Sequence, residues 1–365
     1  MKKIVLSGFL FVAMILILTT ESCKKDTKEE EEEEEINHPY ILEYGTFPPP
    51  QIAADNPLTE EGVKLGRMLF YETLLSSNNQ MSCAGCHNQK TAFADTNQFS
   101  TGVLGLQGGR HSMSVFNMAW NSNGFFWDGR ADLLRDQSLM PIQDVLEMHE
   151  TLPNVVAKLV SSPIYRAQFK KVFGSEEISD EKMSKAMEQF MNSIVSYRSK
   201  FDGYLAGTAT LTADEERGRF LFFTEYNPSF PNASGADCQH CHGGANFEND
   251  KYMNNGLDND AAVTDIGRQN VTNNVADRAK FKVTSLRNVE LTHPYMHDGR
   301  FRTLEQVVDH YNSVTNSSTL DASFQQQLPN GGLQLSENDK AALVAFLKTL
   351  TDENLINDSR YSSPF

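Results

Sequence analysis

The sequence predicts an all-α protein of two similar domains with long loops. One pattern of helix start, glycine, cysteine pair and histidine occurs twice in the same order. Apolar residues also recur at helical spacing between the copies and near the C-terminus, and no alternating strand pattern competes with them. These apolar positions are Met183, Met187, Phe190, Ile194 and Val195, followed by Leu343, Val344, Phe346 and Leu347.

The composition excludes several classes of protein. The 365 residues include 32 lysines and arginines against 48 aspartates and glutamates, a net charge of −16, and 39% are hydrophobic. These values exclude a polytopic membrane protein and a wholly disordered chain, and the length suggests two domains. They also argue against nucleic acid as a partner, because phosphate binding needs clustered basic residues. The expected partner is small, and neutral or basic.

The N-terminus has the pattern of an export signal. Two lysines precede an apolar run over residues 4–18, which is shorter than the roughly 20 residues of a permanent membrane helix. We predict a signal peptide of the lipoprotein type over residues 1–22, with lipid attachment at Cys23. Plain secretion is the alternative, because Thr20 and Glu21 depart from the usual lipoprotein pattern.

An acidic linker is predicted over residues 23–51. It contains seven consecutive glutamates, at 29–35, which repel one another and keep a tether extended in water. This run is similar to the acidic surface-export signals of some Bacteroidetes lipoproteins. The predicted location is therefore the periplasm or cell envelope, with a lipid anchor at Cys23 as the membrane contact and exposure at the cell surface as a further option.

The folded part repeats two stretches of sequence. In the first, a threonine N-cap precedes glutamates in the first helical turn, where the helix dipole favours negative charge. The second runs from Ser-x-x-Asn to Asp-Gly-Arg. Matched landmarks in the same order indicate a duplication, with domains over residues 52–205 and 206–365. The copies lie at 58–87 and 211–242 for the first stretch, and at 114–130 and 285–300 for the second.

Each first stretch ends in a Cys-x-x-Cys-His motif. Two thiols one helical turn apart can add to the two vinyl groups of one haem, and the adjacent imidazole then reaches the iron. A zinc site would need both cysteine pairs to share one metal across the two halves, and a thioredoxin-like site would need a βαβ pattern that is absent from the sequence. We therefore predict two covalent c-type haems. They are attached to Cys83, Cys86, Cys238 and Cys241, with His87 and His242 as proximal ligands.

The order of these motifs resembles the bacterial di-haem cytochrome c peroxidases and their relative MauG. The resemblance spans about residues 52–350 and includes segments 126–130, 286–288 and 295–300. It implies two cytochrome c-like domains. In that family the first haem splits peroxide and the second passes electrons to it.

The resemblance implies roles for three residues near the first haem. Glu147 matches the family's catalytic glutamate, since a positioned carboxylate can move a proton from the near to the far oxygen of peroxide. By spacing alone, Glu147 would be a solvated helix acid. Trp127 matches the tryptophan that lies between the haems. Gln107 is a candidate to assist, from the glycine-rich loop at 105–109, where small residues let backbone approach the haem.

The loop after the first motif holds the positions that, in the family, block the first iron and help to bind calcium. The family's blocking histidine would stand near Val103, and its absence there predicts an open first haem. His111 replaces an asparagine that helps the family bind calcium, and imidazole suits that hard ion poorly. Calcium is therefore disfavoured, although Thr292 and Pro294, whose carbonyls serve the ion in the family, are present. We expect His111 to make structural hydrogen bonds rather than to bind iron.

The far ligand of the second haem separates typical peroxidases, which have methionine, from MauG, which has tyrosine. Family spacing puts Tyr311 at this position. Tyr311 shares one helical face with Leu304 and Val308, which points it inward and turns His310 aside. Met296 and His310 are the alternative ligands, and a core tyrosine without iron is the other interpretation.

Three more residues are suited to haem propionates. Arg130 and Arg300 can each make a bidentate contact to a carboxylate. We expect His297 to fix a propionate rather than to bind iron.

These observations predict a di-haem peroxidase that reduces hydrogen peroxide to water. The electrons would come from a redox donor such as a small cytochrome c, enter at the second haem and pass Trp127 to the first. The nearer alternative is a MauG-like oxidase that uses peroxide to oxidise a protein or an organic molecule. An alternative of another class is a non-enzymatic electron carrier whose two irons are both closed by two ligands.

Overall fold

Helices and long loops make up the computed structural model, which describes residues 37–365. The predicted signal, Cys23 and the glutamate run lie outside the described residues. The α-helices of the described chain are α1 (Glu60–Tyr71), α2 (Cys83–Cys86), α3 (Leu134–Gln143), α4 (Leu152–Ser161), α5 (Pro163–Phe173), α6 (Asp180–Ser193), α7 (Lys200–Leu205), α8 (Ala213–Phe223), α9 (Gln269–Thr272), α10 (Leu304–Asn312) and α11 (Glu337–Lys348).

Extended structure is minor in the described chain. Two strands of two residues each, β1 (Tyr252–Met253) and β2 (Phe281–Lys282), pair antiparallel. The predicted helical fold class is therefore confirmed. None of the helices between residues 37 and 365 combines the length and the apolar character that crossing a membrane requires.

Both predicted helix starts are confirmed. The Thr59 hydroxyl accepts a hydrogen bond from the Gly62 amide at 3.0 Å and caps α1. Thr212 caps α8 by accepting from the Glu215 amide at 3.3 Å, and the Glu215 carboxylate accepts from the Thr212 amide at 2.7 Å. The same cap type therefore begins the corresponding helix in each half.

Each half contains one closely packed helix pair that depends on a glycine. A Cβ atom on Gly66 of α1 would lie 1.9 Å from the carbonyl oxygen of Ala186 on α6. A Cβ atom on Gly218 of α8 would lie 2.0 Å from the carbonyl oxygen of Ala342 on α11. The duplication predicted from the sequence thus extends to the contact between helices.

The helix predicted around Met183 is shorter than its apolar spacing suggests. α6 ends at Ser193, and Ile194 has an extended backbone. Ile194 and Val195 remain buried, with 0% and 3% exposure, so their apolar character reflects core packing beyond the helix end.

Two large apolar clusters lie within the described chain. The first is built from residues in the range 63–194 together with Leu355 and Tyr361, and the second from residues in the range 201–350. The C-terminal segment therefore returns to the first cluster. All described residues belong to one compact unit.

The two halves meet at Ser196. Its amide donates to Asn117 Oδ1 at 2.8 Å, and its hydroxyl accepts from Asn288 Nδ2 at 2.9 Å. The two asparagines occupy matched positions in the repeat, are fully buried, and have φ angles of 55° and 57°. A single serine is thus hydrogen-bonded by the same residue of each repeat.

Candidate active site

The first Cys-x-x-Cys-His motif folds as one helical turn followed by an oriented imidazole. The His87 amide donates to the Cys83 carbonyl at 2.9 Å. Its ring Nδ1 lies 3.1 Å from the carbonyl oxygen of Phe93, which can only accept, so Nδ1 carries the proton. Burial lowers the pKa of His87. The Nε2 lone pair is therefore left for a metal, the usual arrangement of a metal-binding histidine.

The second motif repeats this arrangement. The His242 amide donates to the Cys238 carbonyl at 2.9 Å, and its Nδ1 donates to the Phe247 carbonyl at 3.2 Å. Burial lowers the pKa of His242 to about 4, so its imidazole is neutral at pH 7. The accepting Phe93 and Phe247 both have left-handed backbones, with φ of 59° and 52°.

Glu147 lies in a turn after α3, on the side of the first motif. Burial and, to a smaller extent, the charge of Asp144 raise the pKa of its carboxyl to about 7, against the opposing effect of Arg130. The same carboxylate acts electrostatically on the thiols of Cys83 and Cys86. Glu147 is half-buried and outside the helix, so the interpretation as a solvated helix acid is wrong. It can gain or lose a proton near neutral pH.

The residues just before the glycine-rich loop are attached to the Glu147 segment. The Val103 amide donates to the Glu147 carbonyl at 2.8 Å. A Cβ atom on Gly102 would lie 2.1 Å from the carbonyl oxygen of Leu146, so only glycine fits this contact. Gln107 lies on the same loop with an exposed side chain, and its assisting role stays a prediction.

Trp127 is fixed where the two halves meet. Its indole Nε1 donates to the His111 carbonyl at 2.8 Å, and its ring centroid lies 6.5 Å from that of His297 at an angle of 73°. The Lys282 amide donates to the Trp127 carbonyl at 2.8 Å. Trp127 lines the same large cavity as His242 of the second motif.

Tyr311 lines the large cavity together with Cys238, Cys241 and His242. Its ring stacks on Phe324, with centroids 6.0 Å apart and planes at 15°. Burial raises the pKa of its hydroxyl to about 12. The neighbouring His310 is turned away, since its Nε2 donates to the Asn255 carbonyl at 3.1 Å.

The repeat places Pro141 in the first half where Tyr311 stands in the second. Both residues lie at the same distance after an Asp-Gly-Arg motif, whose glycines have φ of 69° and 62°. Pro141 lies inside α3, as Tyr311 lies inside α10. Proline has no side-chain atom that could bind iron, so only the second half has a potential ligand at this position.

Comparison with known proteins decides the family. A family model described as di-haem cytochrome c peroxidase matches residues 60–210. Cytochrome c551 peroxidase of Nitrosomonas europaea is 37% identical over 312 residues, which cover 83% of this chain and 83% of that protein. The chain belongs to the di-haem cytochrome c peroxidase family.

MauG-type members of the family are similar as well. The methylamine utilization protein MauG of Methylorubrum extorquens is 36% identical over 304 residues, covering 82% of this chain and 80% of that protein. The crystal structure of a MauG-like protein associated with microbial copper homeostasis has a TM-score of 0.79 at 33% identity, covering 89% of this chain and 98% of that chain. The predicted resemblance is confirmed, and with it an oxidoreductase of the peroxidase type.

The donor sets fit the two c-type haems that this family implies. Each half presents two cysteines and a neutral imidazole with its Nε2 lone pair available. Burial raises the pKa of Cys83, Cys238 and Cys241 to about 12, so these thiols are protonated at pH 7. The cavity beside the second motif has mainly apolar walls, as a porphyrin face requires.

The residues predicted to bind propionates have protein partners. Arg300 makes a bidentate contact with Asp258 at 2.9 and 2.8 Å and donates to Asp298 at 2.7 Å. The Arg130 guanidinium lies 3.6 Å above the Phe126 ring centroid. His297 is 9% exposed and lines the large cavity. A propionate would have to compete with the two aspartates for Arg300.

His111 makes the structural hydrogen bonds expected of it. Its Nδ1 donates to the Asn97 carbonyl at 3.1 Å, and its amide donates to the His297 carbonyl at 2.8 Å. Within residues 37–365 its buried Nε2 has no hydrogen-bond partner. Thr292 and Pro294 line the same cavity.

Two residues of the large cavity were missed by the sequence analysis. Asn255 donates to the Tyr311 hydroxyl, and Glu248 is a half-buried carboxyl whose pKa burial raises to about 7. Both lie in an Asn-rich loop region with no periodic pattern. Sequence spacing gives no signal for contacts that depend on how such loops fold back.

Proposed function

We propose that the protein is a di-haem peroxidase with one haem domain over residues 52–205 and a second over 206–365. His87 and His242 would each bind one iron through Nε2. When bound, the haems supply the redox chemistry, with peroxide reduced at the first and electrons relayed by the second. Hydrogen peroxide accepts two electrons and two protons to give two molecules of water.

Glu147 carries this proposal, because its charge acts on the thiols of Cys83 and Cys86 and its own pKa is about 7. Its carboxylate would accept the proton of the near peroxide oxygen and return it to the far oxygen, which then leaves as water. The matched position of the second half holds Tyr311, whereas the first half has Pro141 there. This supports an open first iron and a closed second one.

Trp127 is proposed to carry electrons between the halves. Its indole is held at Nε1 by the His111 carbonyl and lies beside the His297 ring. A fixed ring changes little in position when its charge changes, which keeps the reorganisation cost of electron transfer low.

A MauG-like oxidase is the second candidate function, and Tyr311 is the observation that favours it. A phenolate is a hard anionic donor that stabilises Fe(III), and methionine sulfur favours Fe(II) and raises the potential. With Tyr311 as ligand, oxidised states of the haem pair are easier to reach. The substrate would then be a protein or an organic molecule. The electron-carrier interpretation predicts that both irons have two protein ligands, and it assigns no role to Glu147.

The cellular location is proposed from the sequence of residues 1–35. An apolar run, Cys23 and seven glutamates favour export, a lipid anchor and a solvated tether. Covalent c-type haems with an external redox donor suit the periplasm or cell envelope. Calcium remains disfavoured, because His111 donates from Nδ1 to a backbone carbonyl and offers no oxygen ligand.

Two measurements on the purified, haem-loaded protein test the function. Electron paramagnetic resonance of the oxidised form should show one high-spin and one low-spin ferric haem. Rapid mixing with hydrogen peroxide should change the high-spin haem without prior reduction. Two low-spin haems and no reaction would support the electron carrier and refute the peroxidase.

A further inference from the structure

Asn255 contacts two potential iron ligands at once. Its side-chain nitrogen donates to the Tyr311 hydroxyl at 3.2 Å and to the Met296 sulfur at 3.3 Å. All three residues line the large cavity that also holds His242. An amide NH₂ group has two hydrogens, so both contacts can be made together.

The backbone around Asn255 is held firmly. Asn254 is 2% exposed, and its side-chain Nδ2 donates to the hydroxyls of Ser317 at 3.0 Å and Thr319 at 2.8 Å. The Asn255 carbonyl accepts from the His310 ring at 3.1 Å. These bonds attach the loop to α10 and to the segment after it, so the Asn255 amide has a defined position relative to Tyr311.

The position of Met296 is fixed by a turn in the backbone. It adopts φ of 73°, an uncommon conformation for a residue with a side chain, in a turn closed by the bond from the Gly299 amide to its carbonyl at 3.2 Å. The matched residue of the first half is Phe126, with φ of 68°. The repeat therefore keeps the turn, and the residue at this position carries a sulfur in the second half and none in the first.

The two donors would give the second haem different properties. A thioether favours Fe(II) and a high potential, whereas a phenolate favours Fe(III) and a low one. Both are within reach of one cavity, so something must decide between them. Outer hydrogen bonds orient ligands and tune metals in this way.

We propose that Asn255 is a positioning residue that selects the axial ligand of the second haem. One N–H donates to the Tyr311 oxygen and orients it for binding iron. The other donates to the Met296 sulfur, so that this sulfur does not compete for the iron. This inference rests on the proposed function, in which Tyr311 ligates the iron held by His242.

Three variants of the haem-loaded protein test the selection: Asn255→Leu, Met296→Leu and the double variant. The readouts are electron paramagnetic resonance and near-infrared magnetic circular dichroism of the ferric second haem, and its reduction potential. Asn255→Leu should show thioether ligation and a raised potential. Met296→Leu alone and the double variant should both keep tyrosinate ligation, because no competing sulfur remains.

Two outcomes would overturn the selection. One is an Asn255→Leu protein with the ligation and potential of the parent. The other is a double variant that is shifted as far as Asn255→Leu, since Met296 would then have no part. If Asn255→Leu does not fold with two haems, Asn255→Asp removes the same donors at nearly the same size and should shift ligation in the same direction. Peroxide turnover of the parent, measured separately, shows whether the proposed function itself fails.

Discussion

At the scale of single residues, Glu147 is the side chain whose removal should lower the rate of peroxide cleavage most. Changing Glu147 to Gln keeps its shape but removes proton transfer, so peroxide cleavage should slow by roughly 10²–10⁴-fold. Stopped-flow mixing with peroxide measures this rate, and the absorption spectra should stay nearly unchanged. Asp136→Asn, an exposed acid on α3, is the matched control and should react at the parent rate. An equal slowing in both variants would remove Glu147 from the mechanism.

The pH dependence of the same reaction follows from the raised pKa. The Glu147 carboxyl titrates near 7, so it is protonated at lower pH and cannot accept the first proton of peroxide. The cleavage rate of the parent should therefore rise with pH through about 7 and level off above it. Glu147→Gln should lack this step, and a step that persists in the variant would have another origin.

The sequence predicted some of these residues and missed others for a physical reason. Cys83, His87 and their second-half counterparts belong to a short motif whose spacing alone carries the chemistry. Glu147 needed the family resemblance, because spacing alone suggested a solvated helix acid. Asn255 acts on Tyr311 across a long sequence separation, and no local pattern indicates such a contact.

At the scale of elements, the helix pairs depend on Gly66 and Gly218. Gly66→Ala would place a methyl group 1.9 Å from a carbonyl oxygen of α6, and the helices must separate to admit it. Overpacking of this kind costs about 1–3 kcal/mol of folding free energy. Thermal or denaturant unfolding measures the loss. Gly109→Ala is the control, because a Cβ atom there has no neighbour within 4 Å.

Helix α10 carries the residue that distinguishes the two candidate functions. Tyr311→Met replaces a hard anionic donor by a soft neutral one, so the potential of the second haem should rise and behaviour should move toward a typical cytochrome c peroxidase. Redox titration and the oxidised spectrum measure the change. Tyr311→Phe keeps the stacking on Phe324 and removes the oxygen. Identical potentials and spectra in all three proteins would make Tyr311 a core residue.

Helix starts were better predicted than helix ends. Thr59 and Thr212 cap α1 and α8 through contacts within one turn, which are visible in the sequence. The end of α6 was placed too late, because Ile194 and Val195 are buried by tertiary packing after the helix stops. Apolar spacing reports burial, and it becomes ambiguous where a buried chain leaves the helix.

At the scale of the whole molecule, the two motifs predict two covalently held haems. Mass spectrometry of the denatured protein should give the mass of the polypeptide chain plus two haems. Changing His87 would leave the thioether bonds possible, whereas Cys83→Ala with Cys86→Ala should remove one haem and leave the other. A parent with one haem, or haem extractable by acidic organic solvent, would contradict the prediction.

The C-terminal segment should be needed for the first core. Leu355 and Tyr361 are 2% and 4% exposed there, and the Tyr71 hydroxyl donates to the Tyr361 carbonyl at 2.7 Å. Deleting residues 353–365 removes both side chains and exposes the residues that they pack against. The free energy of unfolding should fall by about 3 kcal/mol or more. Hydrogen exchange should then increase in the first cluster more than in the second. Deleting only the exposed Phe365 is the control. The prediction would be refuted if the first cluster were equally protected from hydrogen exchange in the 353–365 deletion and in this control.

Because Leu355 and Tyr361 belong to the first core, that core can be completed only after the second half has been synthesised. The first half is synthesised early, yet its core lacks two side chains until Leu355 and Tyr361 have been made. Vectorial folding from the N-terminus therefore cannot complete that half before residue 361 is available. That core therefore stays incomplete for longer than the core of a self-contained domain, which would leave more time for haem attachment to Cys83 and Cys86.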